Sequence, residues 1–133
     1  MPKAFQKKKM KKDILTEADV ELLIRTFYNK LLKDKLLAPH FENIDFEHHF
    51  PRMFGFWNFF LLGKEGFFGN VFDKHKNLNI GNEDFDRWLL HFNITVNELF
   101  EGEIAEKAKS QANLLGYTFN QKMKHLELGK YAE

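Results

Sequence analysis

The chain has 133 residues, 44% of them apolar, which suits one folded domain around one core. It contains no cysteine. That excludes disulfides, cysteine-ligated zinc and iron–sulfur centres, thiolate-ligated metals, cysteine nucleophiles and cofactor attachment through C-x-x-C-H. The net charge of +1 is unevenly spread: Lys3, Lys7, Lys8, Lys9, Lys11 and Lys12 stand with no acid in residues 1–12, which leaves −5 for the rest. An acidic body argues against a nucleic-acid-binding domain. No stretch approaches the roughly 20 apolar residues of a membrane span, and no secretory signal opens the chain. We therefore expect a cytoplasmic protein with a solvated basic tail over residues 1–13, a body over 14–128 and a short C-terminal tail over 129–133.

Thr16-Glu17-Ala18-Asp19 reads as a capping box, a hydroxyl with an acid three residues on. Val20, Leu23, Ile24, Phe27, Tyr28, Leu31 and Leu32 follow at helical spacing, and Lys33-Asp34-Lys35 marks the exit. Tyr28 lies on the apolar face, where a buried hydroxyl needs a partner, most often a backbone carbonyl. Residues 36–44 form a connection with Pro39 and room for a short turn; Phe41 is exposed there unless something packs on it. A second helix is expected from Asp45, a good N-cap, to Gly63, a good residue to follow a helix end. His49, Met53, Phe56, Trp57 and Phe60 share one face of it. Pro51 has no N–H and predicts a kink or a restart. His48 points about 100° away from its neighbour, toward solvent.

Residues 63–82 are rich in Gly and Asn and show no sustained period. Long irregular connections inside compact domains are often functional. This one holds Phe72, His75, Leu78 and Ile80, enough to pack one short helical turn against a core or a ligand. A third helix over residues 83–100 shows Phe85, Trp88, Leu89, Phe92, Val96 and Leu99 on one face and ends at Gly102. A fourth over residues 103–126 shows Ile104, Ala108, Leu115, Phe119, Met123 and Leu126, with Ala105, Ala108 and Ala112 permitting close helix approach. With no strand pattern and no repeat, the fold class is all-α.

Absent motifs narrow the chemistry. There is no H-E-x-x-H, P-loop, G-x-G-x-x-G or EF-hand loop, and no Glu-x-x-His pair for a carboxylate-bridged di-iron bundle. Ser110, the only serine, sits in a polar part of the last helix. The 16 phenylalanines make either a bulky core or a pocket for a flat apolar cofactor. A lone histidine such as His75 is more often a surface or structural residue. Its setting favours more: a neutral imidazole on a short turn flanked by Leu and Phe can ligate iron through one nitrogen. The other nitrogen can donate to a backbone carbonyl and so fix the tautomer. Tyr28, His49 and Trp88 lie on the apolar faces of three separate helices, polar handles suited to converge on a polar ligand held among them.

Several stretches together resemble a truncated haemoglobin, most like the third group of that family. They are Phe27-Tyr28, Ala38-Pro39-His40-Phe41, His48-His49-Phe50-Pro51-Arg52-Met53-Phe54-Gly55-Phe56-Trp57, Leu61-Leu62-Gly63, Gly69-Asn70, His75, Leu78, and Phe85-Asp86-Arg87-Trp88-Leu89-Leu90-His91-Phe92. The likeness covers roughly residues 14–126. It implies a shortened globin, a two-over-two helical sandwich around a non-covalent haem b. In that frame His75 is the proximal iron ligand, Tyr28, His49 and Trp88 form the distal trio, and Phe41 stacks on the haem. Met53, Phe56, Trp57, Leu78, Ile80 and Phe92 wall the pocket, and Arg52 reaches a propionate. The lysine tail lies outside the pattern, and Asn79-Ile80-Gly81 stands where the group often has prolines.

The function this implies is binding of oxygen or another diatomic gas (nitric oxide, carbon monoxide) at a His-ligated iron, in a monomer served by a separate reductant. Neither nucleic acid nor membrane is an expected partner. The alternative is a haem enzyme that detoxifies nitric oxide or peroxide; the chain shows no reductase domain and no dedicated acid–base pair, which places ligand binding first. A third reading, from a different class, is a cofactor-free helical interaction module with structural histidines.

Overall fold

A computed structural model describes residues 11–65 and 81–131, with residues 119, 120 and 122–131 as helix backbone. Four helices, α1 (Glu17–Lys33), α2 (Phe46–Leu62), α3 (Asn82–Leu99) and α4 (Glu103–Tyr131), and a 3-10 turn at Ala38–Phe41 account for every regular element among the described residues. The all-α expectation therefore holds. The helix ends follow from local chemistry. Thr16 Oγ1 accepts from the Asp19 backbone N–H, and the Asp19 carboxylate accepts in return from the Thr16 N–H. Asp45 caps α2 by accepting from the Glu47 N–H, and Gly63 closes it with φ at 68°, a left-handed conformation that suits glycine.

Pro51 does not restart α2; one helix runs through it from Phe46 to Leu62. The proline sits in the second turn. The carbonyl it leaves without a donor is that of Glu47, an exposed residue of the first turn that water can serve. The last helix continues to Tyr131, past the end expected at 126. At the other end, residues 11–13 are tied to the body, although the sequence groups them with the basic tail. The Asp13 carboxylate accepts from the N–H groups of Ile104 and Ala105 at the start of α4. The Lys12 carbonyl accepts from Glu101 N–H, and Lys11 Nζ donates to the Asn97 carbonyl at the end of α3. Residues 1–10 lie outside the described residues.

Contacts run α1–α2, α1–α3, α3–α4 and α2–α4, which closes a ring of four helices around one aromatic core. The α3–α4 pair approaches closely. Ala105, Ala108 and Ala112 are buried, and a Cβ built on Gly116 would stand 3.2 Å from Leu89 Cδ1. Among the described residues no helix is long and apolar enough to cross a membrane.

Candidate functional site

The apolar faces of α1, α2 and α3 meet at Phe27, Tyr28, Trp57 and Phe92. Phe92 stacks with Trp57 at 5.0 Å between ring centroids and with Trp88 at 5.9 Å. Phe27 meets Tyr28, Trp88 and Phe92 edge-on at 5.0–5.5 Å. Offset and edge-on pairs at these separations are favoured by the ring quadrupoles, each by about 0.5–1.5 kcal/mol beyond area burial.

Tyr28 is buried in this region, 5% exposed. Phe41 and Phe46 contact its ring edge-on at 5.6 and 5.8 Å, Phe50 at 5.9 Å and His49 at 6.1 Å. Burial pushes its hydroxyl well above the ordinary value of 10.0, because the phenolate would lose its solvation. The group therefore stays an O–H donor at any physiological pH. His49 belongs to the same cluster: its ring packs edge-on to Tyr28 and Phe46, and its Nε2 atom is buried. Trp88 is half-buried and reaches the cluster through Phe27 and Phe92.

Of the residues singled out from sequence, Tyr28, Phe41, Phe56, Trp57 and Phe92 are buried in the core cluster, and Met53 and Trp88 pack against it. Phe41, exposed by its sequence context, is covered by Tyr28. Arg52 is exposed. His48 is solvent-facing, as expected, and its Nδ1–H donates to Asp45 at 2.6 Å. His75, Leu78 and Ile80 lie outside the described residues.

Two groups were missed. Phe46 packs on Tyr28 and His49, and Phe50 on Tyr28; Phe46, three residues before His49, has a spacing that could have placed it on that face, whereas Phe50 follows His49 directly and has no such signal. Arg25 of α1 lies over the rings of Phe50 and Phe54 at 5.0 and 5.3 Å and closes the outer side. The second is Asp34, read from sequence only as a helix exit. Its carboxylate is buried and accepts from Arg87 Nε at 2.8 Å and from His91 Nε2–H at 2.7 Å. Burial pushes that carboxyl up, but the His91 and Arg87 hydrogen bonds outweigh it and hold the group well below the carboxylate range. No local pattern announces it, because its partners lie on another helix.

Comparison with known proteins places this arrangement. The sequence matches the model of the bacterial-like globin family over residues 12–120. A group 3 truncated haemoglobin from Campylobacter jejuni is 27% identical over 117 residues, covering 83% of this chain and 92% of that protein. A group 1 truncated haemoglobin from Tetrahymena thermophila is 29% identical over 96 residues, covering 70% and 79%. Among solved structures, the group III truncated haemoglobin of Campylobacter jejuni superposes with a TM-score of 0.76 at 26% identity, covering 86% of this chain and 95% of that one. A truncated haemoglobin variant from Tetrahymena pyriformis, in its Fe(III) form, superposes with a TM-score of 0.62 at 24% identity, over 70% and 81%, and so supports the fold alone. Four helices around an aromatic core and a family match over most of its length make this chain a member of the bacterial-like globins, with truncated haemoglobins as its relatives.

Proposed function

We propose that this chain binds haem b without covalent attachment, with His75 as the proximal ligand, and that it holds oxygen or another diatomic gas facing Tyr28, His49 and Trp88. Globin membership implies haem and a diatomic ligand. The absence of cysteine leaves non-covalent haem as the form this chain can hold.

The observation that carries the reading is Tyr28, a protonated hydroxyl buried within a shell of Phe41, Phe46, Phe50 and His49. The donor set fits the group: a phenol and an imidazole nitrogen among apolar rings suit a flat hydrophobic cofactor that carries a small polar ligand. When bound, the haem supplies a ferrous iron with an open coordination position.

The chain's own residues do the rest. The aromatic shell keeps out water that would compete for the donors. Tyr28 donates from a fixed position, because the rings around it leave the phenol little freedom. Trp88 can only donate, through its indole N–H, and His49 donates from whichever nitrogen carries the proton. Arg52, exposed on α2, is free to pair with a propionate. A net hydrogen bond contributes on the order of 1 kcal/mol, so several donors slow ligand release and suit scavenging or redox chemistry over bulk delivery.

The test is an absorption spectrum of the ferric, ferrous and oxygenated protein. A Soret band that His75→Ala abolishes is the expected result; its absence after haem addition, or full haem affinity in His75→Ala, would overturn the assignment. Tyr28→Phe should speed oxygen release by roughly five- to tenfold in stopped flow, the loss of one such bond. Unchanged release would remove Tyr28 from the pocket. Turnover of nitric oxide or peroxide well above that of free haem would instead make the protein an enzyme.

A further inference from the structure

Asp34 ends α1, and three elements, α1, the Ala38–Phe41 turn and α3, meet at this one residue. On the α3 side, its Oδ2 accepts from Arg87 Nε at 2.8 Å, Arg87 Nη2 at 2.7 Å and His91 Nε2–H at 2.7 Å. On the turn side, its Oδ1 accepts from Leu36 N–H at 2.9 Å, and its carbonyl accepts from Leu37 and Ala38 N–H at 3.1 and 2.7 Å. Its side chain is 2% exposed. Tyr28 precedes it on α1 by less than two turns, the Ala38–Phe41 turn follows it, and Trp88 lies beside Arg87 on α3.

We propose that Asp34 is a positioning residue of the ligand pocket, which holds Trp88 and Phe41 in register with Tyr28 through its contacts with Arg87, His91 and the turn. The inference rests on the pocket reading given above. Arg87 and His91 are four residues apart and share a face of α3. A helix pinned to one carboxylate at two points a turn apart can neither slide along nor rotate about its axis without breaking a charged hydrogen bond. Trp88 needs such control, because it is half-buried and packing holds only part of its ring. The turn is held in the same way, by three backbone N–H groups on the two oxygens that Asp34 leaves for it. His40 Nε2, within that turn, lies 3.4 Å from Asp84 Oδ2 near the start of α3, a second tie between the same two elements.

A cluster that merely stabilised the fold would change the melting temperature and nothing in the pocket. The experiment compares the haem-loaded full chain with Asp34→Asn, which keeps the shape and loses the charge. Three quantities are read: the thermal midpoint, the oxygen release rate, and the indole N–H resonances of Trp88 and Trp57 in the carbon monoxide complex. The expected result is a retained Soret band, several-fold faster release, and a Trp88 resonance that shifts or broadens while that of Trp57 stays. A lowered midpoint with Trp88 and the release rate unchanged would overturn the proposal. Should Asp34→Asn fail to take up haem, Arg87→Gln, at a half-exposed position, decides by the same two readouts. A wild-type chain without a Soret band would instead refute the pocket reading, and this inference with it.

Discussion

Asp34 illustrates how a side chain's surroundings set its charge. Burial alone would favour the neutral acid, yet two cationic or proton-donating partners and a backbone N–H hold the ionised form. Its folded pKa therefore lies below the ordinary 3.8 that it regains on unfolding. The stability it contributes is present above that value and is lost as pH falls below it. Asp34→Asn should cost about 2–3 kcal/mol at neutral pH, less than the roughly 3–5 kcal/mol of a fully buried pair because Arg87 is half-exposed. Urea unfolding at stepped pH should show the gap between wild type and variant narrowing below pH about 4. Tyr28 is the opposite case: only burial acts on it, and it remains neutral. The sequence made Tyr28 conspicuous, as an aromatic hydroxyl on an apolar helical face. It hid Asp34, whose partners stand 53 and 57 residues away and leave no period to detect.

Elements were easier to read than single residues, because caps and periodicity are local. The capping box at Thr16 and Asp19, the Asp45 cap and the Gly63 stop all occur where the residue types put them. The apolar faces of α1, α2 and α3 brought Tyr28, His49 and Trp88 to one cluster because a 3.6-residue period fixes which side chains share a face. α2 continues through Pro51 for a reason that is also local: the cost of a helical proline depends on whether the carbonyl it strands can reach water, and Glu47 is exposed. The cap of α4 could not be foreseen, since Asp13 comes from outside the helix it serves. Asp13→Ala should lower stability by about 1–2 kcal/mol, the range for losing an N-cap side chain. Gly102→Ala should cost more. Its φ of 145° disfavours a side chain, and a Cβ there would stand 2.5 Å from the Asp13 carboxyl carbon. Parallel urea melts of the two variants decide the order.

At the scale of the whole molecule, Phe92 joins three helices, with Trp57 from α2, Phe27 from α1 and Trp88 from its own α3 around it. It is fully buried, and Phe92→Ala should destabilise by about 3–5 kcal/mol, the usual cost of emptying an aromatic core position. A loss below 1 kcal/mol in denaturant titration would mean that neighbouring rings refill the space. The aromatic richness that pointed to a cofactor pocket is thus also what holds the helices together, which is why composition alone left both readings open. The Asp13 contact has a consequence for the order of folding. Its carboxylate joins residues 91 and 92 positions apart, the longest loop closed by a hydrogen bond among the described residues, and a growing polypeptide exposes the acceptor long before its donors exist. The entropic cost of closing so long a loop leads us to expect the clasp to fasten late, after the transition state. Asp13→Ala should therefore leave the refolding limb of a chevron in place and raise the unfolding rate by about five- to thirtyfold, making this acid a brake on opening rather than a guide to assembly.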